Sequence, residues 1–362
     1  MLKPSGKPQR LIEGRQQQFR ARLLAWYEAH ARDLPWRKSR DPYRVWVSEI
    51  MLQQTRVAAV IEHYHELLRR FPTVGKLASA PEASVLAAWS GLGYYRRARM
   101  LHAAAKLVVR ELGGRFPVTA QAWRELPGIG RYTASAIASI VFGEAVAVVD
   151  GNVERVLQRA TGKRIAGEEL WRQADRLLDH ERPGDFNQAM MELGATVCTS
   201  RAPACLMCPV VELCATRGDL AVSPKAAKQK KRQIHYALDI RGGDGRDRGV
   251  FLVQRPRDAA LMAGMWELPE IETAVARTGE KQIPQFVRND KTKGRPNGNA
   301  NHGTQEFLFT VRHSITVTDY TVHVWRTTPP AGTSGAWVAS DRLKRVALTG
   351  LARKTLRKAG VL

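Results

Sequence analysis

The chain reads as two parts of different fold class, a mainly α-helical part over residues 19–217 and an α+β part over residues 234–362. Three observations predict the division. Apolar residues recur at helical spacing as far as Val197, and the period changes to two after Gln233. Between them, Gly218 to Gln233 is rich in Lys, Ala, Gln and Pro, with Lys225, Lys228, Lys230, Lys231 and Arg232, and reads as a basic linker. With 362 residues, 44% of them hydrophobic, the chain is long enough for two cores. Lys and Arg outnumber Asp and Glu by 57 to 34, a net charge of +23, so association with a polyanion is expected, although charge alone does not separate DNA from RNA. No apolar run reaches bilayer length and no apolar segment opens the chain, which points to the cytoplasm. Met1 to Gln18 reads as a basic, polar arm.

Phe19, Leu23, Trp26 and Tyr27 place one face of a helix over Phe19–His30, and Leu34-Pro35-Trp36-Arg37 ends it in a loop. The next helix is expected over Tyr43–Arg70. Residues three and four away from Glu49 are Val45, Trp46, Leu52 and Gln53, so this carboxyl lies on a largely apolar face. Desolvation there disfavours the carboxylate and leaves a proton donor near neutral pH. The blander alternative is a glutamate at the rim of the stripe, reaching water. Helices over Val74–Ala80, Pro81–Ser90 and Tyr95–Leu112 follow, the last two joined through Gly91-Leu92-Gly93-Tyr94-Tyr95-Arg96-Arg97. An aromatic on a glycine turn beside arginines suits insertion next to a base; a tyrosine packed in a helix corner is the alternative.

The centre of the chain runs from Leu126 to Val156. Leu126-Pro127-Gly128-Ile129-Gly130 is a hairpin whose glycines, Gly128 and Gly130, leave backbone N–H groups unscreened at the start of a helix over Arg131–Phe142. Such a helix start suits a phosphate. The apolar run Ala145–Val149 then delivers Asp150 to the start of a helix over Asn152–Ala160. Alone, Asp150 is an ordinary helix cap; beside the hairpin it becomes a candidate second carboxylate. Between Pro127 and Asn152 there is no lysine, so nothing there can form a Schiff base.

Cys198, Cys205, Cys208 and Cys214 follow a helix over Asp185–Val197 and are all the cysteines the chain has. Without a secretion signal a four-thiolate metal site is favoured over disulfides, and ligand chemistry alone would accept tetrahedral zinc. In the second part, strands are expected over Tyr236–Ile240, Gly249–Gln254, Phe307–Val311 and Thr316–Trp325, with a closing helix over Asp341–Lys358. Arg277–Gln305 lacks periodicity and reads as a mobile insertion.

Together these motifs resemble the endonuclease III superfamily of helix-hairpin-helix DNA glycosylases, and within it the adenine DNA glycosylase (MutY) family, strongly over residues 19–217 and weakly beyond. The resemblance implies a helical glycosylase fold with an iron-sulfur module and a C-terminal domain similar to the Nudix fold, carried by Leu261–Glu270, LMAGMWELPE. The glutamate-rich Nudix hydrolase helix is absent, so that domain is expected to recognise rather than hydrolyse. In SEIMLQQT, Glu49 matches the family's general acid and Gln54 a residue that enters the base stack; Tyr94 matches an intercalating tyrosine. By the same likeness Leu34, Trp36 and Arg37 enclose an extruded adenine, Gln188 and Glu192 meet its edge, Asp150 stabilises the sugar cation, and Asn152 and Tyr132 support the chemistry. The cysteine intervals are those of the superfamily's 4Fe-4S cluster. The family's Phe-Ser-His tip, which reads 8-oxoguanine, appears only as Val311-Arg312-His313, with the histidine alone retained. The implied function is hydrolytic release of adenine opposite 8-oxoguanine or guanine in duplex DNA, by a monomer associated with the nucleoid. A thymine mismatch enzyme or an oxidised-pyrimidine enzyme on the same fold is the near alternative, and a non-catalytic damage-binding protein the distant one.

Overall fold

The computed structural model describes residues 7–218, 230–242, 248–259, 261–272, 305–315 and 318–362. Backbone proximity divides the chain into one unit of residues 1–85 and 96–224 and another of residues 86–95 and 225–362.

The first unit is helical. It runs from α1 (Lys7–His30) through a 3-10 turn at Pro35–Arg37 to α2 (Pro42–Leu52), α3 (Val57–Arg70) and α4 (Val74–Ser79). α5 (Glu82–Trp89) starts in this unit and, with the glycine turn after it, runs into residues that group with the second; α6 (Arg96–Leu112), the short α7 (Ala120–Arg124) and α8 (Arg131–Phe142) belong to the first again. α9 (Gly151–Thr161), α10 (Gly167–Leu177) and α11 (Pro183–Thr196) complete it before the cysteines. The expected helix over Tyr43–Arg70 is two helices. α2 is capped by Asp41, which accepts from Arg44 N, and stops at Leu52 because the chain turns sharply at Gln53 and Gln54. The basic arm is also not separate, since α1 already includes Lys7 to Gln18.

Phe19, Leu23, Val153, Leu157, Phe186 and Leu193 join α1, α9 and α11. Trp46 of α2 and Phe116 pack on Trp123 of α7, with ring centroids 5.7 Å apart in each case. Gly194 lets α11 and α9 approach: a Cβ there would stand 2.6 Å from Asn152 Cβ.

The second unit is α+β. β1 (Lys230–Leu238), β6 (Thr318–Arg326) and β5 (Glu306–Ile315) form one sheet, with β1 parallel and β5 antiparallel to β6. β2 (Ile240–Arg241), β3 (Gly249–Gln254) and β4 (Trp266–Glu267) form another, with β7 (Ala336–Ala339) also on β3. Leu351 and Leu356 of the closing α12 (Gly350–Lys358) pack with Tyr236, Val250, Val311 and Val324 in its core. Three expectations change here. β1 takes up Lys230 to Gln233, assigned above to the linker, whose remaining described residue is Gly218. The closing helix is shorter, because Ser340–Arg345 is a 3-10 turn and Thr349 caps α12 by accepting from Ala352 N. Residues 86–95, read as part of the helical half, group with the second unit, where Ser90 Oγ and Tyr95 Oη both donate to Leu348 O. Most of the expected insertion, residues 277–304, lies outside the described residues.

Candidate active site

α2 brings Glu49 to the wall of a cavity of about 760 Å³, also lined by Tyr132 from α8, Asp150 and Asn152 at the head of α9, and Gln188 and Glu192 from α11. Leu34, Trp36 and Arg37 close another side, and Gln54 and Gly130 stand among its lining residues. Eleven of the residues selected from the sequence therefore share one pocket of a size that suits a small ligand.

Glu49 is 5% exposed. Burial pushes its carboxyl up to about 7, with Asp150 raising it further and the Tyr132 hydrogen bond and Arg37 opposing. Tyr132 Oη donates to Glu49 Oε2 at 2.9 Å and also lies 3.4 Å from Met191 Sδ. Burial and the two carboxyl groups hold the phenol well above its usual range, so it stays a donor.

Asp150 is held differently. One oxygen accepts from Asn152 N at 2.9 Å and Val153 N at 2.8 Å, and the other accepts from Asn152 Nδ2 at 3.0 Å. It is a helix cap and a cavity wall at once. Asn152 is oriented in turn by Arg155, whose Nη2 donates to Asn152 Oδ1 and Gly194 O while its Nε donates to Cys198 O. The sequence reading did not select Arg155; its spacing from Asn152 on one helix was the available sign.

Glu192 is 1% exposed and lies between two arginines. Arg32 donates from Nε at 2.6 Å and Nη2 at 2.8 Å, and Arg37 from Nη2 at 2.8 Å. Burial would raise this carboxyl, but the arginines outweigh it and hold it below its usual range. Arg37 also lies over the Tyr27 ring, 5.4 Å from its centroid. Arg32 is a second residue the sequence reading missed, because its partner is 160 positions away. Trp36 is fixed edge-on to Tyr64, centroids 5.5 Å apart.

Gly128 has a φ of 77°, and a Cβ there would lie 2.5 Å from Met100 Cβ, so glycine is required on both counts. Gly130 precedes α8 with an ordinary φ of −87° and free space around it. Tyr94 is 45% exposed at the turn, with a φ of 47°.

Cys198, Cys205, Cys208 and Cys214 are half-buried thiols. Among the described residues no three His, Cys, Asp or Glu side chains stand in metal-binding geometry. The cysteines still share one locality. Burial pushes the Cys208 thiol up to about 11, and Cys198, Cys214 and Cys205 around it raise it further. Arg159, 5% exposed, donates from Nη1 towards Cys198 Sγ at 3.4 Å and to Thr199 O at 2.7 Å. Four thiols beside a buried cation fit a thiolate-bound centre by donor chemistry, and it is this chemistry rather than the present sulfur spacing that carries the fit.

Arg312 and His313 lie inside β5 and not at a tip, so strand alternation turns them to opposite faces. Arg312 is exposed; His313 is half-buried, and a Cβ on Gly350 would lie 3.3 Å from its Nε2. Burial, then Lys354, holds its imidazole below the usual range.

The HhH-GPD superfamily of base excision DNA repair proteins matches residues 47–174. The chain is 43% identical to the adenine DNA glycosylase of Homo sapiens over 315 residues, 70% of this chain and 57% of that protein. It is also 43% identical to the adenine DNA glycosylase of Mycobacterium tuberculosis (strain CDC 1551 / Oshkosh) over 229 residues, 61% of this chain and 75% of that one. Among solved structures, a thermostable thymine-DNA glycosylase superposes with a TM-score of 0.54 at 29% identity, covering 57% of this chain and 98% of that one. The chain spans 57–60% of the length of the mammalian relatives it matches. On these matches, and with the pocket just described, the chain belongs to the adenine DNA glycosylase family.

Proposed function

We propose that the protein is a monofunctional glycosylase that hydrolyses the N-glycosidic bond of adenine opposite 8-oxoguanine or guanine in duplex DNA, acting as a monomer. The observation that carries the reading is Glu49, buried, protonated up to about pH 7, and sharing one cavity with Asp150. The bond is inaccessible inside the stack, so the adenine must be extruded into the cavity. Glu49 gives its proton to the leaving base at N7, which makes adenine a better leaving group. The sugar becomes oxocarbenium-like, and Asp150, held open by Asn152 and two backbone amides, opposes that charge directly or through a transient covalent adduct. The paired Glu192 and Arg37 present fixed hydrogen-bonding groups to the base edge, and Gln188 lines the same pocket. With no lysine between Pro127 and Asn152, water completes the reaction and the backbone is not nicked.

Cys198, Cys205, Cys208 and Cys214 would hold a 4Fe-4S cluster, which when bound braces the loop around Arg201 against phosphate. Arg155 ties that loop to Asn152 through its hydrogen bonds to Cys198 O and Asn152 Oδ1. The second unit, with its Nudix-like sequence, discriminates the base opposite. In the cell we infer that the protein works with the nucleoid in the cytoplasm.

The test is a single-turnover assay on three duplexes, with A opposite 8-oxoguanine, A opposite G and T opposite G. Release from the first two and not the third supports the reading. Release of thymine alone moves the protein to the mismatch-thymine class, and binding without release makes it a damage-binding protein.

A further inference from the structure

α2 ends in an unusual turn. Gln53 has φ −55° and ψ 116°, Gln54 has φ 54°, and Thr55 N donates back to Leu52 O at 3.2 Å. This is a type II turn over residues 52–55 with Gln54 at the position that favours glycine. A glutamine there is disfavoured, and flipping the Gln53–Gln54 peptide to the type I orientation would relieve it. Arg97 stands where it opposes that flip. Its Nη1 donates to Ile50 O at 2.8 Å, Met51 O at 3.0 Å and, in a short contact, Gln53 O, while Nη2 donates to Thr55 Oγ1 at 3.1 Å. Thr55 Oγ1 donates to the same Gln53 oxygen at 3.2 Å. The carbonyl that tells one turn type from the other is therefore held by two donors, one of them a cation at the C-terminal end of a helix.

We propose that Arg97 is a positioning residue that locks the Gln53–Gln54 peptide in its type II orientation, so that Gln54 is presented to the duplex from the mouth of the cavity. A lysine keeps the charge but cannot serve two carbonyls of the helix end, the turn carbonyl and Thr55 together, because it lacks the planar fork. Arg97 acts through Gln54 and not through Glu49, although both lie on or next to α2. The inference rests on the proposed function, since it assigns Gln54 a role in adenine extrusion.

The test is a double-mutant cycle in the full chain, with Arg97→Lys and Gln54→Ala. Single-turnover adenine release and 2-aminopurine fluorescence, which reports extrusion, are both followed. Each single variant is expected to lose roughly tenfold in both, and the double variant no more than Gln54→Ala alone. The pH midpoint of release should not move in Arg97→Lys. Multiplied losses in the double variant, or a shifted midpoint, overturn the proposal, because Arg97 would then act on the fold at large or on Glu49. Thr55→Val removes one donor to the same carbonyl without touching a charge, and serves if Arg97→Lys does not fold. It should lose about threefold, again only when Gln54 is present. If the parent protein neither extrudes nor releases adenine, the functional reading falls and takes this inference with it; if the parent does both and the cycle is additive, only this inference falls.

Discussion

Glu49 changes its charge at about pH 7, and the chemistry and the stability of the protein follow from that in opposite ways. On the proposed mechanism adenine release needs the protonated form, so the rate should be level below about pH 7 and fall above it, read as single-turnover rate against pH. Folding is linked to the same shift. The folded carboxyl titrates above its ordinary 4.5, so it contributes stability that is fully present below that value and lost as pH rises through about 7. Glu49→Gln, which never ionises, should accordingly melt like the parent near pH 4.5 and be more stable by roughly 2–3 kcal/mol at pH 8. An equal melting difference at both values would mean that Glu49 is not held neutral by its surroundings. Glu192 makes the contrasting case. Its carboxylate is kept by Arg32 and Arg37, so Glu192→Gln should cost about 1–3 kcal/mol in thermal or denaturant unfolding. Arg32 is more than a third exposed, which places the value towards the lower end.

Among the elements, the hairpin before α8 is tightly constrained at Gly128. Gly128→Ala must adopt φ 77° and push against Met100, so a loss of about 1–2 kcal/mol in stability is expected. Weakened duplex binding should accompany it, measured by anisotropy. Gly130→Ala has an ordinary φ and open space, and should be near neutral in stability. Helix α8 was legible to the residue, because a glycine hairpin opens it and Gly143, at φ 72°, closes it. The stop of α2 was not. Leu52 to Thr55 carries neither Gly nor Pro, and the turn depends on Arg97, more than forty positions away. The pocket was largely legible because its chemistry sits in local motifs, SEIMLQQT and the segment from Gly128 to Asn152. Arg32 and Arg155 escaped because what distinguishes them is a partner distant in sequence, Glu192 for one and the Cys198 carbonyl for the other. The pairs β4 and β7 make with β3 were missed for a similar reason: two to four residues are too few to show a period of two.

For the whole molecule, the charge and the proposed role of the second unit set what is expected of DNA binding. A net charge of +23 predicts that binding to undamaged duplex weakens steeply and linearly in a plot of log affinity against log salt. A flat dependence would contradict the expected phosphate footprint. The second unit is assigned discrimination, but its placement of Arg312 and His313 on opposite faces of β5 limits both from acting at one spot. Arg312, exposed, is the better placed of the two. Arg312→Ala should reduce the preference for 8-oxoguanine over guanine more than His313→Ala does, compared as rate ratios on the two duplexes. The central claim is that two carboxyl groups in one cavity, Glu49 held neutral by burial and Asp150 held by Asn152 and two backbone amides, remove adenine. The most direct measurement is single-turnover release from a duplex with A opposite 8-oxoguanine, in parent, Glu49→Gln and Asp150→Asn proteins of equal duplex affinity. The account predicts rapid release by the parent and a loss of roughly 10²–10⁴-fold in each variant. Release by either variant at near the parent rate would contradict it.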